Sequence, residues 1–200
     1  MRIIGGALGG RRFRGPPPGA TRPTADRVRE AVASALEARG AIAGARVLDL
    51  YAGTGAFAFE ALSRGAEHAC CVEQDKRVAA SLDTSATELG LRSRIDVIVG
   101  ALGARMAAPL ESRLRRAAGT TGFDLVFVDP PYAAVDEVPA LLLRLATSGV
   151  LSPDALVVLE HATKQPPTAS TFLATEATYR YGDTAVLFAR VTAGTEAIKP

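Results

Sequence analysis

Val47-Leu48-Asp49-Leu50-Tyr51-Ala52-Gly53-Thr54-Gly55-Ala56-Phe57-Ala58 is an apolar run that meets two glycines and continues at helical spacing, the pattern of a strand turning directly into a helix. Outward from it, short runs rich in Val, Leu and Ile alternate with helix-length amphipathic segments. Strands are predicted over 46–51, 68–73, 95–99, 124–129 and 156–160, and helices over 25–39, 55–64, 76–89, 102–117 and 135–147. Such alternation, with right-handed crossovers, gives an α/β fold: a doubly wound, Rossmann-like, largely parallel sheet with helices on both faces. After Glu160 the pattern changes. Residues 168–181 and 184–191, separated by Gly182-Asp183, read as an antiparallel hairpin that completes a seven-stranded sheet.

The chain has 200 residues, 48% hydrophobic and 22% charged, enough for one domain with a sizeable core. Its net charge of +2 conceals an asymmetry. Residues 1–39 hold eight Arg against Asp26, Glu30 and Glu37, a balance of +5, which leaves −3 for the rest. Arg2, Arg11, Arg12, Arg14 and Arg22 precede the first acidic residue, in a Gly- and Pro-rich arm expected to form a hairpin ahead of a helix capped by Thr24. Residues 1–40 are therefore taken as a basic arm and helix packed on the core, 41–192 as the main domain, and 193–200 as a solvated tail.

Every apolar run is interrupted by charge short of the roughly 18 residues needed to span a bilayer, and the N-terminal one is closed by Arg11-Arg12. Neither a membrane span nor a signal peptide is expected, and the expectation is a cytoplasmic monomer. Adjacent Cys70 and Cys71 suit neither a disulfide with each other nor a zinc site, so they read as buried strand residues and no metal is expected.

In an open α/β sheet, ligands bind beyond the carboxyl ends of the strands. Gly53 and Gly55 permit close backbone approach there. Glu73, eighteen residues after Gly55, closes the next strand, where its carboxylate can take both hydroxyls of a ribose. Two nucleoside cofactors compete. Gly53-x-Gly55-x-x-Ala58 fits a dinucleotide whose pyrophosphate sits at the helix N-terminus, as in an NAD-dependent dehydrogenase. S-adenosylmethionine carries an ammonium and a sulfonium instead, and Asp49 supplies negative charge that suits those groups and opposes a pyrophosphate. Tyr51, Gln74 and Ala101, at neighbouring strand ends, join the cofactor-binding candidates.

The strand at 123–128 ends in Asp129-Pro130-Pro131-Tyr132. Two prolines have no N–H, so this loop offers carbonyls and no donors. With the Asp129 carboxylate it suits an amino group on a planar ring, against which Tyr132 can stack. Hydrogen bonds from the amine to Asp129 and to the Pro130 carbonyl favour a pyramidal nitrogen, whose lone pair can then attack a methyl sulfonium in line. Guanine N2, adenine N6, cytosine N4 and a protein glutamine amide all offer such a nitrogen. A non-catalytic RNA-binding module is the remaining class. His68 and His161 lack partners that would suggest a metal or a triad, and Glu160 lies at a strand end beside the expected pocket.

These residues resemble the class I methyltransferases with a D/N-P-P-Y/F motif and, within them, the RsmD type, which methylates guanine N2 in small-subunit ribosomal RNA. The resemblance runs through Arg2-Ile3-Ile4-Gly5-Gly6, Gly10-Arg11-Arg12-Phe13, Arg22-Pro23-Thr24-x-Asp26-Arg27-Val28-Arg29-Glu30, Leu48 to Gly55, Glu60 to Ala66, Val72 to Asp75, Asp129 to Tyr132, Glu160-His161 and Tyr181 to Ala185. It implies S-adenosylmethionine held by Asp49, Gly53, Gly55 and Glu73, and a guanine amino group held by Asp129 to Tyr132. It further implies that Thr24 and Asp26 close over the site, and that the arm meets 16S ribosomal RNA or an assembling small subunit. One departure stands out: the family usually has an acidic residue against the adenine amino group where this chain has Ala101.

Overall fold

The computed structural model describes residues 1–15, 24–103 and 105–192, without the side chains of 24–26. Arg22, the Pro16-Pro17-Pro18 run and the 193–200 tail lie outside the described residues, as do the side chains of Thr24 and Asp26. Seven strands, β1 (Arg46–Leu50), β2 (His68–Glu73), β3 (Ile95–Val99), β4 (Phe123–Val128), β5 (Leu151–Ala162), β6 (Leu173–Tyr181) and β7 (Thr184–Val191), form one sheet. Its order is β3-β2-β1-β4-β5-β7-β6. The first five strands are parallel, β7 runs antiparallel to β5, and β6 pairs antiparallel with β7 at the edge. The doubly wound reading from the sequence holds.

Residue alternation along the strands divides the core in two. Val47, Cys71 and Phe127 face a layer made by α1 (Thr24–Ala38), α2 (Ala56–Ser63) and α3 (Lys76–Glu88). Leu48, Cys70 and Val126 face α4 (Ala108–Ala118) and α5 (Val138–Thr147). Both cysteines are fully buried, and that burial pushes their thiols up and out of the reactive range. No helix among the described residues is long and apolar enough to cross a membrane.

Several boundaries differ from the sequence expectation, each for a local reason. α4 begins at Ala108 rather than at 102, because Pro109 fits only a helix's first turn, and residues 101–103 and 105–107 stay in the loop at the end of β3. Pro139 acts likewise: Tyr132–Glu137 is a 3₁₀ segment, and α5 starts at Val138. β5 begins at Leu151, paired with Phe123, and an irregular register step carries it past Ser152-Pro153-Asp154 to Leu156 opposite Leu125. β6 starts at Leu173 because its partner β7 ends at Val191. β1 stops at Leu50, since Tyr51 leaves the extended region with φ +61°.

The N-terminal arm is a short hairpin clamped to the core. Ile3 N–H donates to the Arg11 carbonyl at 3.0 Å and Gly10 N–H to that of Ile3 at 2.8 Å, with Arg2 directly opposite Arg12. Ile3 and Phe13 point inward, and Phe13 packs edge-on against Phe59. Gly6 lies so close to the C-terminal turn of α2 that a Cβ there would collide with the Ser63 carbonyl. Beneath the hairpin is a buried carboxylate. Glu60 of α2 accepts the backbone N–H groups of Ile4 and Gly5 at 2.8 and 2.9 Å, and Arg64 Nε at 2.7 Å. Arg29 of α1, equally buried, approaches the same carboxylate at 4.0 Å and donates to the Arg2 carbonyl at 2.9 Å.

Candidate active site

β1 has β2 on one side and β4 on the other, and the direction of winding reverses there. The crevice beyond the carboxyl ends of these strands is where the fold opens a ligand site. Gly55 adopts φ +76° as the residue preceding α2, a conformation that a side chain would strain, and a Cβ there would press on Leu82 at 2.9 Å. Glu73, at the end of β2, staples the glycine loop in place. Its Oε2 accepts Gly53 N–H at 2.9 Å and its Oε1 accepts Asp75 N–H at 2.8 Å, leaving one lone pair on each oxygen for a ligand. Asp75 itself caps α3 by accepting Arg77 and Val78 N–H groups, which hold its carboxyl below the usual range.

Asp49 is buried and accepts Ala58 N–H at 3.2 Å. Burial pushes its carboxyl well above the ordinary carboxylate range, and the nearby charges of Asp129 and Glu73 add to the rise, against the Ala58 N–H that favours the anion. Three carboxylates thus crowd one crevice, and a cation placed among them would relieve the repulsion. A cavity of about 230 Å³ opens beside them, walled by Tyr51, Glu73, Gln74, Gly100, Asp129 and Pro131, with Asp49 buried outside its lining. Tyr51 combines two unusual features: a left-handed backbone at a non-glycine residue, and a buried hydroxyl without a hydrogen-bond partner among the described residues. Its phenol is pushed up by burial first and by the charge of Glu137 second.

At the end of β4, Asp129 is exposed, Pro130 is buried and Tyr132 is half-exposed. Pro131 is extended at φ −58° and ψ 146°, and its carbonyl already accepts Ala134 N–H at 2.8 Å, so the second acceptor for an incoming amine falls to Pro130. The structure therefore gathers Asp49, Tyr51, Gly53, Glu73, Gln74 and Asp129 to Tyr132 at one end of the sheet. Ala101 lies on the adjoining loop.

The arm arginines separate into two groups. Arg11 donates to the Glu88 and Leu89 carbonyls at the C-terminus of α3, and Arg14 pairs with the Glu88 carboxylate at 2.7 Å, so both fasten the arm to the body. Arg2 and Arg12 lie on the outward face. The hairpin borders the site itself, because Thr54 of the glycine loop donates to Met1 Sδ at 3.3 Å. His68 pairs with Asp96 at the far end of its strand, and His161 Nδ1 lies 2.8 Å from the Ala162 carbonyl. Sequence reasoning missed Glu60, Arg29 and Glu137. Nothing in a helical run such as Phe59-Glu60-Ala61 says that a charged side chain will be buried under backbone 55 residues away.

Comparison with known proteins adds independent support. Residues 1–190 match the family described as "Conserved hypothetical protein 95". The putative ribosomal RNA methyltransferase YlbH of Bacillus subtilis is 33% identical over 162 residues, covering 80% of this chain and 82% of that protein. Ribosomal RNA small subunit methyltransferase D of Escherichia coli is 35% identical over 162 residues, 80% of this chain and 74% of that one. Among solved structures, the putative methyltransferase YhhF from Escherichia coli superposes with a TM-score of 0.77 at 31% identity, covering 96% of this chain and 98% of its own. With the glycine loop, the acidic crevice and the donor-free loop after β4 in the arrangement just described, the chain belongs to this family, the RsmD type of methyltransferase.

Proposed function

We propose that this enzyme transfers the methyl group of S-adenosylmethionine to the exocyclic N2 amine of a guanine in 16S ribosomal RNA, in the cytoplasm and during small-subunit assembly, acting as a monomer. The observation that carries the reading is the exposed Asp129-Pro130-Pro131-Tyr132 loop set against an acidic crevice. The residues fit the cofactor. Three carboxylates suit a ligand bearing a sulfonium and an ammonium, and the orphaned Tyr51 hydroxyl gains a polar partner. A pyrophosphate would add negative charge to the same crevice, which weighs against NAD. The bound cofactor supplies an electrophilic methyl; everything else falls to the chain. Glu73 orients the ribose while holding Gly53. Asp129 and the Pro130 carbonyl hold the amine with its lone pair free, Tyr132 stacks on the base, and the proton released on N–C bond formation leaves through Asp129 to solvent.

In this reading residues 41–192 serve transfer and residues 1–40 serve RNA binding and closure, the roles that the family resemblance implies for Thr24, Asp26 and Arg22. Incubation of the purified protein with S-adenosylmethionine and 16S ribosomal RNA, free or in the small subunit, followed by mass mapping of nucleosides, should yield one N2-methylguanosine. N6-methyladenosine, a methylated protein glutamine or an unmodified profile would refute the assignment.

Because Arg11 and Arg14 are committed to α3, the RNA-facing role is assigned to Arg2 and Arg12. Replacing both by alanine should weaken RNA binding several-fold and lower the slope of log affinity against log salt by about 1 to 2, since each phosphate contact contributes about 0.7 to 0.9. Cofactor affinity, read by calorimetry, should stay constant. An unchanged salt slope would remove the arm from the RNA interface.

A further inference from the structure

A nucleoside whose ribose is held by Glu73 must lay its base along the end of β3. Gly100 N–H donates to the Glu73 carbonyl at 3.0 Å, and Gly100 and Leu102 wall the same cavity as the Glu73 side chain. Beyond Gly100 the described loop residues Ala101, Leu102 and Gly103 have no side-chain hydrogen-bonding group, yet an adenine presents its N6 amine as a donor. A second cavity, of about 560 Å³, shares Leu102 with the first as a lining residue. Its wall includes Ala101, Gly103, Met106, Arg105 and the carboxylate of Glu137. Glu137 ends the 3₁₀ segment that follows the Asp129–Tyr132 loop, and its Oε2 leans over Gly103, 2.8 Å from where a Cβ on that glycine would stand. The absence of a side chain at Gly103 is what lets the carboxylate reach across the loop. A carboxylate has about four acceptor positions, enough to take an amine beside the contacts it already makes.

We infer that Glu137, brought in from the loop after β4, is the specificity residue for the cofactor's adenine, accepting the N6 amine that the β3 loop cannot bind through a side chain. The inference rests on the S-adenosylmethionine reading above. Arg105, the other charged group on the wall, is donor-only and would read a ring carbonyl instead, so the two have opposite preferences for a base. Tyr51, whose hydroxyl feels the charge of Glu137, lines the first cavity. The arrangement also couples the two ligands: the same short segment carries Tyr132 against the target base at one end and Glu137 against the adenine at the other.

Calorimetric titration with S-adenosylhomocysteine and S-inosylhomocysteine tests this directly, because the second replaces the N6 amine by a carbonyl oxygen that Glu137 would repel. Wild-type protein should favour the adenosyl compound by about tenfold or more, the scale of a hydrogen bond to a charged group. Glu137 is exposed, so Glu137→Ala should fold normally. That variant should lose about tenfold in affinity for the adenosyl compound and gain for the inosyl one, erasing the preference, and Glu137→Gln, able to accept or donate, should flatten it. An adenosyl preference that survives Glu137→Ala overturns the inference while leaving the cofactor reading intact. Failure of wild-type protein to bind either compound overturns both.

Discussion

Asp129→Ala should lower methyl transfer by about a thousandfold or more while shifting S-adenosylhomocysteine affinity by less than about tenfold. The two effects separate because Asp129 does different things to the two ligands. Toward the amine it is one of two acceptors, and the other, the Pro130 carbonyl, cannot on its own fix the nitrogen's direction of attack. Toward the cofactor it is one of three acidic groups around the crevice, and its charge adds to the burial that raises the Asp49 carboxyl. Removing it leaves Glu73 on the cavity wall to hold the ribose, so most of the cofactor's contacts remain. Asp129→Asn keeps an acceptor oxygen without the charge and should retain more activity than the alanine variant. Single-turnover transfer and calorimetry on the same preparations measure both quantities. An alanine variant with more than a tenth of wild-type activity would mean that Asp129 does not hold the amine.

The sequence made legible those features whose causes are local in the chain. Alternating apolar runs specify strands buried on both faces, so β1 to β4 were found within a residue or so, and the glycine turn before α2 was visible because Gly55 alone can take φ +76° without strain. Glu73 and Asp129 could be placed because strand ends are where this fold puts its ligands. What escaped depends on approach through space. Arg11 and Arg14 look identical to Arg2 and Arg12 in a basic arm, and only the hairpin and its docking on α3 turn two of them into anchors. Pro109 and Pro139 were read inside helices when each marks a first turn, and that misreading hid the two loops bordering the site. Glu137 was taken for a helix residue for the same reason.

Glu60→Ala should destabilise the protein by about 3–5 kcal/mol, the largest expected effect of a single change outside the crevice. For a chain of this length that is a fall in Tm on the order of 10 °C. Glu60 is 2% exposed, and it is where the arm, α1 and α2 meet: two arm N–H groups, Arg64 and Arg29 all converge on its two oxygens. Alanine would take the shared acceptor from the Ile4 and Gly5 N–H groups and from Arg64 Nε, and would remove the buried countercharge of two guanidinium groups that also contact Glu37 and the Arg2 carbonyl. Glu60→Gln should fall between, because one amide oxygen can still accept while the amide NH₂ opposes a donor. The consequence reaches the site through the hairpin. Without Glu60, residues 4 and 5 lose their hold on α2, and Met1 is no longer positioned against Thr54 in the glycine loop. Loss of order in the arm should therefore precede global melting in Glu60→Ala, seen as faster amide exchange at Ile3 and Phe13 at temperatures where β1 and β4 remain protected. Melting within about 1 kcal/mol of wild type, with those amides still protected, would show that the hairpin is held by Ile3 and Phe13 packing alone.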